Sequence, residues 1–467
     1  MSNASVGADA RTRGRRRIVM TGMGWVTPLG GDVDTVWERL VAGASAIGLI
    51  TRFQAETFPT NFGAEVKQFD LNEHGPFAEL AGLPDETTGR SARFALAAAA
   101  RAMQQAGLGA PGAAPTAGID PERMGVYLGA GEGTPDFDAC TATCLEAWSG
   151  EHRTLDMHVW AQQAYARMEQ TKELEQEPYL PVTQIARHFG ARGPSFNCMT
   201  ACAASTQSVG EAVEIIRRDD ADIMIAGGSH TMLHPFGMTG FIRLTAMSKR
   251  RDAPATAARP FDQTRDGFVM GEGAGVVILE ELSHALARGA KPLVEVVGYG
   301  SSADAYRITD IQPEGLGAIA AMRSALAQAG IDPAAVGEDG RPLVHYISAH
   351  GTGTKENDAI ETKAVRGVFG DNASRVPFSS VKSMLGHLIQ AAGAVELMTC
   401  VQAIRTGFLP PTMNLHNPDP ACDLDYVPNR ARDMRDANGA SRVHVAMSNG
   451  FGFGGQNDTL VIRRFDA

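Results

Sequence analysis

The sequence predicts an α/β protein made of two similar lobes that meet at a shared face. Three observations predict it. Short β-branched runs alternate with longer helical stretches, the pattern of a sheet covered on both faces. Glycine accounts for 52 of 467 residues, well above the usual share of about 7%. These glycines gather at GAGEG (129–133), GEGAG (271–275), HGTGT (350–354) and GFGFGG (450–455). The second half of the chain also repeats the order of motifs in the first.

Taken along the chain, residues 1–16 form a basic stretch expected to be disordered. Strands are expected at 17–22, 124–128, 222–226, 275–280, 292–298, 343–348, 443–448 and 459–464. Helices are expected at 91–106, about 203–217, about 316–329 and about 387–405. RIVMTGMG near the start resembles PLVEVVGYG at 292–300, each a strand ending in GxG. MGVYLGAGEG pairs in the same way with VHYISAHGTG, CAASTQSVGEAVEII with HLIQAAGAVELMTCVQAI, and DIMIAGG with HVAMSNG. A duplication of this kind places a site between two βα lobes. The boundary falls near 285–291, giving an N-terminal lobe over 17–287 and a C-terminal lobe over 288–467. Residues 134–181 break the alternation with polar sequence carrying Trp148, Trp160 and Tyr165. That stretch reads as an inserted helical lid or oligomer contact.

Composition narrows the function. Charged side chains sum to −11, which opposes a broad basic face for nucleic acid and leaves room only for a local patch. No run approaches the roughly 18 apolar residues of a membrane span. Cys140, Cys144, Cys198, Cys202, Cys400 and Cys422 show no CxxC pairing, so neither a disulfide scaffold nor a zinc ribbon is expected. The basic N-terminus runs into a strand without an apolar h-region, so no secretory signal is expected. A cytoplasmic enzyme is the expectation.

Cys202, in GPSFNCMTACAASTQSVGEA, carries the strongest local signal. A helix starting at about Cys202 would put its thiol at the positive end of the helix dipole, favouring thiolate. Small neighbours at Ala201, Ala203, Ala204 and Ser205 leave room for an acyl group. Cys198 fits the role of a small buried hydrophobe instead. A nucleophilic cysteine needs histidine help from elsewhere in the chain. His350 ends a strand, where open α/β sheets place their sites, and His387 opens an alanine-rich helix. Lys382, next to that helix, needs a partner if desolvated, and Glu361 is the expected one. Thr352 and Thr354 offer hydroxyls suited to a linear amide-bearing ligand. GFGFGG satisfies GxGxxG at Gly450, Gly452 and Gly455 but leads into a strand, so it is not a dinucleotide fingerprint. His230 and His234 form HxxxH without a third ligand nearby in sequence, so no metal is expected.

The set TACAAS (200–205), ARPFDQTRDGFVMGEGAGVVILE (258–280), AHGTGTKENDAIE (349–361), VKSMLGHLIQAAGAVE (381–396) and SNGFGFGGQND (448–458) resembles the β-ketoacyl-acyl-carrier-protein synthases, type II. The resemblance runs from about residue 17 to the C-terminus. It implies a thiolase fold of two duplicated βαβαβ lobes in a five-layered α/β/α/β/α arrangement, and a homodimer. It implies that Cys202 accepts the acyl chain while His350 and His387 bind the malonyl thioester and promote decarboxylation. Lys382, with Glu361 as partner, would set the charge of the site. The N–H groups of Cys202 and Phe453 would form an oxyanion hole. Phe451 would gate the acyl pocket, Gly452 and Gly454 would line the substrate path, and Thr352 and Thr354 would bind the pantetheine arm. No cofactor is implied beyond the phosphopantetheine of acyl carrier protein. Carrier proteins are acidic, and Arg243, Lys249, Arg250 and Arg251 form the expected docking patch.

The rival enzymes differ in their residues. A thiolase would need a second cysteine in the C-terminal glycine loop, and SNGFGFGGQND has none. The initiating synthases use Cys-His-Asn, whereas KSMLGH at 382–387 supplies a second histidine. A chain-length partner subunit of a heterodimer would lack the cysteine. The long 134–181 segment leaves open a specialised synthase for a polyketide or unusual lipid.

Overall fold

The structure is a computed structural model that describes residues 16–67, 69, 89–109, 116 and 118–466. Ten strands form one sheet: β1 (Ile18–Val26), β2 (Met124–Ala130), β3 (Ser195–Cys198), β4 (Ile223–His230), β5 (Gly273–Glu281), β6 (Val294–Ala303), β7 (Tyr346–Ser348), β8 (Phe378–Ser379), β9 (Val445–Gly452) and β10 (Gln456–Arg464). Their spatial order is β8-β7-β9-β10-β6-β1-β5-β4-β2-β3. Read outward from the centre, the two halves have the same plan. The halves join where β1 meets β6 over three antiparallel pairs, Ile18 with Val296, Val19 with Glu295 and Met20 with Val294.

Five helices clothe this sheet: α1 (Arg90–Ala106), α2 (Ala204–Arg217), α3 (Leu316–Ala329), α4 (Lys355–Phe369) and α5 (Ala392–Thr406). Helix α1 packs on β1, β5 and β4, and α3 packs on β6 and β10 with α4 beside it. Helices α2 and α5 touch each other and strands of both halves. The layers are therefore helix, half-sheet, paired helices, half-sheet, helix. Both inner helices are buried along most of their length, as an element covered on both sides must be.

The GxG of the repeat has a packing cause. A Cβ on Gly22 or Gly24 would lie 2.1 or 2.2 Å from the carbonyl oxygens of Ala102 and Ala98 in α1. A Cβ on Gly298 or Gly300 would lie 2.1 Å from those of Ala325 and Ala321 in α3. Each half thus presses a glycine pair of its first strand onto an alanine-rich helix.

All eight strands expected from sequence are present. The two that close the sheet at its ends, β3 and β8, were not expected: they are only 4 and 2 residues long. The helix expected at about 387–405 begins later, at Ala392. Gly386 (φ 68°) and Ile389 (φ 50°) interrupt it, leaving a short turn over Lys382–Leu385 and a 3-10 turn over Ile389–Ala391. The inserted stretch forms helices Phe137–Ala147, Met157–Arg167 and Gln170–Leu174, and a further helix, Leu180–Phe189, follows it. Leu145, Trp148, Met157, Tyr165, Leu174 and Tyr179 are exposed along it. Of the N-terminal stretch expected to be disordered, residues 1–15 lie outside the described residues. Arg16 is fixed, its guanidinium paired with Asp219 and Asp222. Among the described residues no helix is long and apolar enough to cross a membrane.

Candidate active site

Cys202 lies in a 3-10 turn, Ala201–Ala203, one step before α2 rather than in its first turn. Ala201 holds φ 47°, a left-handed conformation that costs a non-glycine residue about 1 kcal/mol or more. The symmetry-related turn repeats it at Ile389, ahead of α5. The thiol is 7% exposed. Burial pushes it up to about 11, against the downward pull of the Lys382 charge and of the N–H groups of Phe453 and Cys202 itself. The expected resting thiolate is therefore corrected: desolvation outweighs the helix end, and the sulfur keeps its proton at neutral pH. Cys198 donates its S–H to the Ala204 carbonyl at 3.2 Å, as a structural cysteine does.

His350 follows β7, and His387 sits between the two turns that precede α5. Their rings lie 5.5 Å apart between centroids and nearly perpendicular, at 83°. Cys202, His350 and His387 each bring a sulfur or ring nitrogen to within 4.8 Å of the others. Burial, then the Lys382 charge, holds both imidazoles well below their usual range, so both are neutral. The Nδ1 of His387 accepts from the Ile389 N–H at 3.3 Å. The Nδ1 of His350 lies 3.5 Å from Lys382 Nζ. With each Nδ1 turned to a donor, the proton of each neutral ring belongs on Nε2. Two N–H donors then serve one cavity.

That tautomer decides the metal question. Three ligand-type atoms at this spacing suit a soft divalent ion, but a ligating imidazole gives its lone pair to the metal and donates its other N–H outward. Here the outward nitrogens face donors, so the donor set is wrong for a metal. His230 and His234, the HxxxH pair, are both buried. They belong to no group of three ligating residues among those described.

Lys382 departs from expectation. Its amine pairs with Glu396, not Glu361, and also donates to the His350 carbonyl at 2.6 Å. Glu361 instead accepts from the backbone N–H groups of His350 at 2.8 Å and Gly351 at 2.7 Å, and from the Asn449 side chain at 3.2 Å. Burial raises both carboxyls to about 7. Glu396 and Asn449 are the polar residues that sequence reasoning missed. The signal for Glu396 was a lone carboxylate in the apolar helix AAGAVELMTCV.

A cavity of about 390 Å³ opens onto Cys202, His350 and His387. Thr352 and Thr354 line it with Phe451, Gly452 and Phe453, and the two hydroxyls lie 3.1 Å apart. A Cβ on Gly452 would stand 2.9 Å from the Thr200 carbonyl and 3.1 Å from the Cys202 nitrogen, so the glycine loop presses on the nucleophile turn. Gly454 is outside the lining and donates its N–H to Ile308 O at 2.6 Å. Arg243 and Lys249 are exposed near the mouth, where Leu244, Thr245 and Ala246 line the cavity. Arg250 and Arg251 are partly engaged, donating to the carbonyls of Thr264 and Glu56.

Two duplicated half-sheets around paired inner helices, with a thiol at the foot of one, define a thiolase fold. Family models for the N-terminal and C-terminal domains of β-ketoacyl synthase match residues 15–285 and 293–416, and the chain belongs to the β-ketoacyl synthase family. It is 38% identical over 458 residues to the 3-oxoacyl-[acyl-carrier-protein] synthase 2 of Coxiella burnetii, covering 96% of this chain and 99% of that protein. The synthase 2 of a Synechocystis species is also 38% identical, over 97% of this chain and 99% of its own. Among solved structures, the ishigamide ketosynthase/chain length factor matches with a TM-score of 0.81 and 32% identity, covering 97% of this chain and 100% of that one. A type II polyketide ketosynthase, bound to the hexaketide and in complex with its acyl-carrier protein, matches with a TM-score of 0.81 and 31% identity, at the same coverage.

Proposed function

We propose that this chain is a 3-oxoacyl-acyl-carrier-protein synthase of the elongating type, an acyltransferase that lengthens an acyl chain by two carbons in fatty-acid synthesis. The observation that carries the reading is the buried thiol facing two neutral imidazoles whose Nδ1 atoms are both turned to donors. In the first half-reaction the Cys202 sulfur attacks the acyl thioester of a carrier protein and expels the pantetheine thiol, which takes up the proton. Malonyl carrier protein then enters and loses CO2. The electron pair left behind becomes an enolate whose oxygen accepts from Nε2–H of His350 and of His387. Neutral donors suit that oxygen, and the low dielectric strengthens both bonds. The enolate carbon attacks the acyl carbonyl, the resulting oxyanion accepts from the N–H groups of Cys202 and Phe453, and collapse expels the Cys202 sulfur as thiolate, which takes a proton from water to restore the resting thiol. Burial, reinforced by the neighbouring Lys382 amine, keeps both rings neutral. Thr352 and Thr354 hold the pantetheine amides, and Phe451, packed 5.9 Å from the His350 ring between centroids, gates the acyl pocket. The reaction calls for no cofactor other than the carrier's phosphopantetheine.

An acidic carrier protein would dock over Arg243 and Lys249, with Arg250 and Arg251 behind them. A homodimer is the assembly we favour. Among the described residues, strand β3 ends the sheet with one backbone edge open, and Phe196 on it and Met199 after it are exposed, as are Leu145, Met157, Tyr165 and Leu174 of the inserted helices. A second copy would cover that edge. A second reading, a ketosynthase of a type II polyketide or unusual-lipid pathway, is favoured by the type II polyketide ketosynthase among the structural neighbours and by the inserted helices.

The test is intact-protein mass spectrometry after mixing the protein with a ladder of acyl carrier proteins, with Cys202→Ala alongside. The expected result is an acyl adduct missing in the variant and discharged by malonyl carrier protein. No adduct across the ladder would overturn the reading.

A further inference from the structure

Strands β2 and β4 run parallel, with Ala130 opposite Ser229. The next residues, Gly131 and His230, therefore stand together at the C-terminal end of the half-sheet, where open α/β sheets bind ligands. A Cβ on Gly129 or Gly228 would strike the start of α2 at Ala204 or Ser205. By strand alternation Gly131 and His230 face the same inner layer. A Cβ on Gly131 would fall 2.4–2.8 Å from the amide of Gln390, so that amide lies directly over Gly131. Gln390 is the middle residue of the 3-10 turn Ile389–Ala391, the counterpart of the turn that carries Cys202.

Gln390 and His230 are each 3% exposed. Among the described residues, Oε1 of Gln390 and both ring nitrogens of His230 have no hydrogen-bond partner. Burial pushes the His230 imidazole down to about 3, so the neutral ring offers one N–H and one lone pair. Buried polar atoms in folded proteins are nearly always partnered, and bare ones point to a group not yet in place. Neither residue lines the cavity itself, but the neighbours of both connect them to it. The turns holding Gln390 and Cys202 pack together, and Ile389 lines the cavity with Cys202. His230 pairs in the sheet with Gly273, whose Cβ would meet Leu388, the residue after His387.

We propose that Gln390 and His230 form a polar subsite for a hydroxyl group carried by the acyl chain on Cys202, so that the enzyme extends hydroxylated acyl chains in preference to plain ones. The proposal rests on the condensing-enzyme reading and names its substrate class. A hydroxyl satisfies both partners, donating to Gln390 Oε1 and accepting the His230 N–H. A ketone could use only the second, and a saturated chain neither. A site built to bond a hydroxyl discriminates against the analogue without it, because its own buried groups are then left bare.

The test loads the protein in competition with carrier proteins bearing decanoyl, β-hydroxydecanoyl and δ-hydroxydecanoyl chains, read by intact mass. The expected result is that one hydroxylated chain loads about tenfold faster than decanoyl. In Gln390→Met and His230→Phe the ratio, taken within each protein, should fall to near one. Equal loading of all three by the unaltered enzyme would give the polar atoms to buried water and overturn the proposal. The same holds if the variants keep the preference. Loading of decanoyl alone leaves the condensing-enzyme reading standing while this one fails; loading of no chain at all sinks both.

Discussion

Lys382 is buried, and its amine is divided between Glu396 and the carbonyl of His350. Removing one member of such a pair leaves a desolvated charge without a partner, which costs far more than the intact pair gains. Glu396→Gln is expected to lose about 3 kcal/mol or more of stability, read as a fall in the thermal or urea midpoint. An unchanged midpoint would mean that the pair is not the one described. At Cys202 the sign of the pH dependence follows from burial. With the thiol raised to about 11, alkylation by iodoacetamide should quicken about tenfold per pH unit through the neutral and mildly alkaline range. Lys382→Ala, which removes the charge that favours thiolate, should slow alkylation at any fixed pH. A plateau at neutral pH would indicate a resting thiolate instead. Cys202 and the two histidines were legible in the sequence because each stands in a glycine- and alanine-rich motif. The partner of Lys382 was not. Glu361 lies nearer to His350 in sequence, but helix α4 aims its carboxylate at backbone N–H groups, and only the fold brings Glu396 of α5 against the amine.

Among the elements, the hairpin of β9 and β10 determines how closely the glycine loop approaches the nucleophile. Gly452→Ala would drive a methyl group to 2.9 Å from the Thr200 carbonyl, a backbone atom that cannot swing away. Acyl loading should fall at least about tenfold, since small displacements at a reacting centre are costly. Gly150→Ala, in a hairpin of the insertion with nothing within 4 Å of the new atom, should load as the parent does. Equal loading by both would remove the loop from the site. The strands read most clearly from sequence are those with β-branched runs, such as GVVILE in β5 and TLVIRR in β10. SFNC and FS at the sheet ends carry no alternation to read. The break at Gly386 and Ile389 was hidden for a different reason: the apolar pattern continues through it while the backbone does not.

The whole molecule is a duplicated sheet with unequal ends. On the C-terminal side β8 closes the sheet with two buried residues, whereas β3 leaves Phe196 exposed at an open edge. Light scattering should give twice the 49.4 kDa of one chain, and Phe196→Glu should shift the protein toward that single-chain mass. A monomeric parent would contradict the assembly. The duplication was legible because both halves keep the GxG and the small-residue helix. The inserted stretch was legible as a helical lid or oligomer contact, but which of its apolar residues are exposed was not, because its sequence carries no clear apolar face. The central claim is that one thiol takes the chain while two neutral imidazoles draw CO2 from the second substrate. The most direct measurement follows labelled CO2 from malonyl carrier protein, together with acyl occupancy of Cys202, in the parent, His350→Ala and His387→Ala. The account predicts matched CO2 and 3-oxoacyl product in the parent, and an acylated Cys202 with CO2 release reduced by at least about a hundredfold in either variant. CO2 release that persists at the parental rate in either variant, or variants that no longer acylate though folded, would contradict it.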